Sequence, residues 1–183
     1  MPSIDEQDEV AFFERSPDRG LAIVLPAIVD NHLTKILKVA MRSNATVWNE
    51  LFNPSGPLGS FGARVRLAYM LELISPKFYK DLLIINKIRN EFAHKVNVKS
   101  FDQHPISAWI KAMDIYSTLV RVRDGGSMHP DLEFNRVLRF ILKDDLESMR
   151  DTFRTSIRLI IAHMTKIEKQ VAEYRNTLPP APA

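Results

Sequence analysis

Arg89, Asn90 and His94 are the residues of this chain best suited to chemistry. They stand in the segment Ile88-Arg89-Asn90-Glu91-Phe92-Ala93-His94, within a stretch whose apolar residues recur at helical spacing. At about 100° per residue, Phe78, Leu82, Ile85 and Phe92 fall within roughly 40° of one line and form a core stripe. Arg89 lies about 20° from Phe78 in the same projection and is expected inside that stripe. A guanidinium on a core face needs a carboxylate or several carbonyls, because a buried charge without a partner costs on the order of several kcal/mol. Asp30 is the expected partner, since Ile23, Pro26, Leu33 and Leu37 flank it on another helix. Glu72 is the second choice. Asn90 and His94 are four residues apart and share a more polar face. Imidazole titrates near neutrality and suits acid–base work. The set Arg89, Asn90, His94 and Asp30 reads either as a polar site in a buried helix or as an internal ion pair with no further role.

Other chemistries find less support. The chain has no cysteine, which removes disulfides and thiol catalysis and leaves only histidine and carboxylates as metal ligands. His32, His94, His104, His129 and His163 show no HxxxH spacing, so no metal is expected. The glycine-containing loop Gly56–Phe61 precedes a helix but lacks the lysine of a phosphate-binding loop. Its expected role is to fix the angle between two helices, and no cofactor is implied. Arg150, Arg154 and Arg158 recur every four residues as a basic ridge that phosphates could meet. Glu147 and Asp151, each three residues before an arginine, are expected to neutralise it. Trp48 and Trp109 read as core or interface residues.

These side chains must be carried by helices, because helical periodicity dominates and strand alternation is scarce. Expected helices run over Ile4–Glu14, from Ser16-Pro17-Asp18 to Met41, then Ala45–Phe52, Phe61–Ile74, Lys77–His94, Ile106–Arg121, Leu132–Leu142 and Asp145–Arg175. Ser16 and Ser75 read as caps, each followed by proline in the first turn. Pro26 removes one backbone donor and should kink its helix. Asn53–Gly59 and Asp124–Pro130 are loops, and Val96–Pro105 is a connector. On the last helix, Ile157, Ile160, Ile161, Met164, Ile167 and Val171 make one apolar face. The class is all-α, a compact bundle of six to eight helices. Residues 1–16 form an acidic N-terminal segment, 17–176 a single helical domain, and 177–183 a disordered Pro/Ala tail.

At 183 residues the chain suits one core. Its net charge of +3 is uneven: residues 1–18 are strongly acidic, which leaves a positive remainder. That remainder could attract nucleic acid or simply keep the protein in solution. No short turn joins two helices in the manner of a helix-turn-helix with a basic recognition helix. No apolar run approaches the roughly 18 residues that span a bilayer. The acidic start lacks the basic region of a secretory signal, so a cytoplasmic protein without a membrane partner is expected.

Four stretches in one order resemble the mannitol operon repressor family: Asp18-Arg19-Gly20-Leu21-Ala22, Gly56-Pro57-Leu58-Gly59-Ser60-Phe61, Arg64-Val65-Arg66-Leu67-Ala68-Tyr69, and Ile88 to His94. Residues 101–183 match loosely, mainly around Thr152–Val171. Pro26 and Gly62 stand where that family favours helix formers. The resemblance implies a helical fold and a bacterial transcriptional regulator of sugar-alcohol uptake. It would act through a protein partner of the uptake or regulatory machinery and not as an enzyme. Arg89-Asn90-xxx-His94 is also similar to the signature of the HEPN superfamily. That likeness implies the alternative of an RNA-binding protein or endoribonuclease, with His94 acting on a ribose hydroxyl or leaving group and Arg89 steadying the phosphate. A HEPN-like fold also implies a homodimer, with an interface expected on the helices around residues 106–142 or 20–41.

Overall fold

The computed structural model describes residues 16–124 and 146–177. The expected helices at 4–14 and 132–142, the Asp124–Pro130 loop beyond its first residue, His129 and the 178–183 tail lie outside the described residues. Within them are seven helices and no strand: α1 Asp18–Ala40, α2 Ala45–Phe52, α3 Phe61–Met70, α4 Pro76–His94, α5 Ile106–Lys111, α6 Asp114–Arg123 and α7 Met149–Thr177.

The central element is α1, which packs most extensively on α7 and then on α4 and α3. Leu21, Leu25, Val29, Leu33, Ile36 and Leu37 supply its buried side. By length and composition alone α1 could cross a membrane, contrary to the expectation of no such run. Here those same residues form the core of a helical bundle. The helix runs unbroken through Pro26, so the missing donor does not end it. Against α1, α7 sets Ile157, Ile160, Met164 and Ile167, with Ile161 and Val171 partly buried beside them. This is the face expected from its spacing. Phe92, Phe101 and Phe153 stack in series at ring distances of 5.0 and 4.8 Å, joining α4, the connector and α7.

Three of the helix boundaries that differ from the expected ones have an identifiable polar setting. The cap of α1 falls on Pro17, one residue late, because the Asp18 carboxylate serves distant partners instead. One of its oxygens accepts from the Phe101 amide at 3.0 Å and the other from Arg150 at 2.6 Å. Helix α3 stops at Met70, short of Ile74. Glu72 takes a left-handed conformation at φ 57°, and the amides of Leu73 and Glu72 donate back to the carbonyls of Ala68 and Tyr69. Such paired return bonds close a helix around a left-handed residue, a position usually filled by glycine.

The third difference is a break. Residues 106–121 were expected as one helix, yet Ala112 and Met113 separate α5 from α6. Asp81 on α4 causes it. The Asp81 carboxylate accepts from the amides of Asp114 at 2.7 Å and Ile115 at 3.0 Å. It thereby caps a new helix start with a side chain remote in sequence. Asp81 is only 3% exposed. Burial pushes its carboxyl up to about 6, against the two amide bonds, which pull the other way.

That elevation has a sign. The folded chain holds the Asp81 proton more tightly than the unfolded chain does. The associated stability is complete below the ordinary carboxylate range and disappears as pH rises through about 6. Asp81→Asn cannot titrate. Denaturant unfolding of the variant across pH 4–7 should show a flatter fall in stability than the wild type. Parallel curves for the two proteins would show that Asp81 is not the titrating group.

Candidate functional site

A cleft of about 400 Å³ opens where α1, the loop before α3, α3 and α4 meet. Pro26, Ala27 and Asp30 line it from α1; Gly59 and Ser60 from the loop; Phe61, Gly62, Arg64 and Arg66 from α3; Asn86, Arg89 and Asn90 from α4. Of the expected polar set, Asp30, Arg89 and Asn90 therefore meet in one place. His94 is exposed and lies outside the cleft.

The expected pairing of Arg89 with Asp30 is wrong. Asp30 pairs with Arg64, whose Nε and Nη2 reach the two carboxylate oxygens at 2.7 and 2.5 Å, a bidentate fork. The same guanidinium donates through Nη1 to the Leu58 carbonyl. Arg64 thus locks α1, α3 and the preceding loop together. Helical spacing is compatible with that place. Phe61, Arg64, Val65 and Ala68 follow i, i+3, i+4, i+7 spacing, and all four are buried.

Arg89 is exposed, and its Nη1 donates only to Asn90 Oδ1 at 3.2 Å. The stripe argument placed it inside because it took Phe78, Leu82, Ile85 and Phe92 as the whole buried face. Asp81 and Ile88 are buried as well. Within one turn of Arg89 the buried residues are Ile85, Ile88 and Phe92, whose common direction lies roughly 65° from it, so Arg89 falls at the edge of the buried face at its own level of the helix. Glu72, the second choice of partner, sits in the exposed turn after α3. Arg66 is also exposed, and Nη1 donates to the Gly62 carbonyl at 3.0 Å. Neither Arg66 nor Arg89 has a carboxylate partner among the described residues.

The loop before α3 is folded tightly on α2. A Cβ on Gly56 would lie 2.3 Å from the Glu50 carbonyl oxygen, and one on Gly59 would lie 2.4 Å from that of Asn53. Only glycine permits these approaches, which agrees with a loop that sets an interhelical angle. Ser60 accepts from the Ala63 amide through its hydroxyl and starts α3 at the lip of the cleft.

The other candidates are dispersed. His32 Nδ1 is 4.0 Å from Glu168, with burial pulling its pKa down. The His163 ring meets the Phe78 ring edge-on at 4.9 Å. No group of three metal-ligating side chains occurs among the described residues. The basic ridge of α7 is engaged internally: Arg150 holds Asp18 and the Ser16 carbonyl, and Arg154 pairs with Asp151 at 3.4 Å. For Arg150 the partner is thus Asp18, across the bundle. Trp48 and Trp109 are half-buried, with Lys38 and Lys87 over their rings.

Residues 18–170 match the model of the mannitol repressor family. The chain belongs to that family. Its fold is also that of a chain in the X-ray structure of the MtlR–HPr complex from Escherichia coli. The TM-score is 0.60 over 86% of this chain and 98% of the other, at 19% identity. Comparison with curated proteins gave no match.

Family membership gives the stretches that resemble it a structural reading in this chain. Arg19 donates to the carbonyls of Phe92, Lys95, Val96 and Val98, closing the C-terminal end of α4. Arg64 locks the wall of the cleft, and the Gly56–Phe61 loop sets its rim. Arg19 and Asp18 were missed as site-building residues because their partners, backbone groups and for Asp18 also the Arg150 guanidinium, lie more than seventy residues away, which no local pattern reveals.

Two outcomes follow for stability. Arg89→Ala should melt within about 0.5 kcal/mol of the wild type, as exposed positions do. Asp30→Ala, which leaves Arg64 nearly buried and without its carboxylate, should cost roughly 2–3 kcal/mol. The double change Asp30→Leu/Arg64→Met should be milder than the sum of the single changes. Thermal unfolding of Arg89→Ala, Asp30→Ala, the double variant and its two component single variants checks these statements, and a strongly destabilised Arg89→Ala would reinstate the buried assignment.

Proposed function

We propose that this protein is a cytoplasmic transcriptional regulator of sugar-alcohol uptake that acts through contact with a protein partner. The observation that carries this reading is the family match across residues 18–170. The fold shared with a chain from a complex containing HPr supports an HPr-like component of the uptake machinery as the partner. Two features of this chain favour contact with protein over direct reading of DNA. Arg150 and Arg154 of α7 are engaged with the chain's own carboxylates and, for Arg150, a carbonyl group, which takes two of its arginines out of an open phosphate-binding ridge. Elsewhere the surface offers apolar contact. A groove of about 390 Å³ runs between the end of α1, the turn after α3 and the C-terminal half of α7, lined in part by Leu71, Leu73, Ile167, Val171 and Tyr174. Beside it Met70 is 75% exposed and Tyr174 67%, and large exposed apolar side chains of this kind mark contact surfaces. In this reading the HPr-like partner seats on that groove. A homodimer through α1 or the region from residue 106 onward belongs to the same reading. Light scattering would then give twice the 21.0 kDa chain mass.

A second reading draws on one observation, the exposure of both Arg89 and His94, which an HEPN-like RNA-binding protein or endoribonuclease would need. The two side chains are five residues apart and stand about 140° apart around α4, so a single chain does not converge them. His94-dependent cleavage of RNA by the purified protein would replace the regulator reading.

Calorimetry with the purified HPr of the same organism tests the first reading. Binding is expected, and Met70→Glu and Tyr174→Ala should each weaken it about tenfold or more while melting close to the wild type. Unchanged binding by both variants would remove the groove as the contact surface. Absence of any HPr complex, together with direct binding of operator DNA, would overturn contact as the mode of action.

A further inference from the structure

We propose that the cleft between α1, α3 and α4 is a binding site for a phosphate-type oxyanion, either free or as the phosphate group of a small ester. The inference stands whether or not the protein works through an HPr-like partner.

The charge on the cleft is unbalanced. Asp30 is its one acidic lining residue, and both of its oxygens are taken by Arg64, so that pair is neutral. Arg66 and Arg89 remain. They line the same cleft, and neither meets a carboxylate among the described residues. Two guanidinium groups facing one concavity repel each other, and an anion between them relieves that repulsion.

The floor of the cleft adds neutral donors. Arg66 Nη1 and Asn86 Nδ2 both point at the space above Gly62, lying 3.1 and 3.3 Å from where a Cβ would stand. At the start of α3 the amides of Ala63 and Arg64 return to Ser60. Those of Phe61 and Gly62 have no acceptor among the described residues and belong to lining residues of the cleft. The first turn of a helix favours an anion. Here the cationic side chains are the primary observation and the helix start is an addition to them.

Gly62 is the telling residue. Glycine inside a helix costs about 1 kcal/mol relative to alanine, and Gly62 has no left-handed backbone that would require it. What it provides is room beneath two donor nitrogens. The cleft, at about 400 Å³, is of the size that holds small molecules and exceeds a bare phosphate. Asn90 and Ser60 at its margin can pair with hydroxyl groups of an ester.

The test is calorimetric titration of the intact protein with inorganic phosphate at low ionic strength, with chloride at equal ionic strength as the control. Saturable binding is expected. Arg66→Gln and Arg89→Gln should each weaken it about tenfold or more, the loss typical of one charge-assisted contact. Gly62→Ala supplies a further arm that leaves both charges in place. Its Cβ would crowd the Arg66 and Asn86 nitrogens, so it should bind phosphate more weakly, and its melting temperature is read alongside to show that it is folded. Glycerol 3-phosphate separates the two sources: tighter binding than inorganic phosphate identifies an ester site, and equal binding identifies free phosphate. A phosphate response no greater than that of chloride would overturn the proposal. So would full retention of binding in the Arg66→Gln/Arg89→Gln double variant.

Discussion

The head of α1 is the point on which the rest of the bundle depends. A helix leaves its last four carbonyls without intrahelical partners, and the end of α4 meets that need from outside. Arg19 brings a single guanidinium to one of them, that of Phe92, and to the carbonyls of Lys95, Val96 and Val98 just beyond the helix. Its neighbour Asp18 receives the Phe101 amide and the Arg150 guanidinium. Two adjacent residues thus tie α4, the connector behind it and α7 to one helix start. The Phe92–Phe101–Phe153 series lies directly beneath this junction. The polar staple fixes the chain ends, and the aromatic stack fills the space they enclose.

Arg64 does for the other flank of α1 what Arg19 does for its head. The fork to Asp30 and the bond to the Leu58 carbonyl hold α3 and its preceding loop at a set distance from α1. A charge pair this close to the core gains little net stability over an apolar pair of equal volume. It does restrict the helices to one register, because sliding α3 would leave a guanidinium without partners. The width of the cleft, and the approach of Arg66 and Arg89 across it, follow from that restriction.

The sequence revealed the parts of this fold that depend on local chemistry. Ser75-Pro76 starts a helix because the serine hydroxyl takes the Phe78 amide and proline suits the first turn. The long apolar spacing of α7 gave its buried face for the same local reason. What the sequence did not reveal depends on partners far along the chain. Nothing within residues 106–121 announces a break at Met113. The break exists because Asp81, itself on the core stripe of α4 with Phe78, Leu82 and Ile85, offers two oxygens to the amides of a helix it is not part of. The same holds for Arg89 and Arg64. Both fall among apolar residues at helical spacing, and only packing decides that Arg64 goes in and Arg89 stays at the edge. Phe61, Val65 and Ala68 are buried at helical spacing around Arg64, which is left 9% exposed at the cleft wall.

A pattern joins the buried polar groups. Asp81 caps α6, Arg19 closes α4, Asp18 receives the connector amide, and Arg64 holds the loop carbonyl as well as its aspartate. Each one satisfies backbone groups that a helical bundle with short connections would otherwise leave bare. Such a fold needs charged residues in its interior, so a charge near the core is not in itself a sign of function. The informative residues are the ones this need does not absorb. Arg66 and Arg89 close no helix of another segment and neutralise no carboxylate among the described residues, yet both line one cleft whose wall includes a glycine that a helix would rather replace. Their placement costs some stability through mutual repulsion and through Gly62, and the bonds they make, to the Gly62 carbonyl and to Asn90 Oδ1, bring no opposite charge. A compensating interaction from a bound anion accounts for both costs at once.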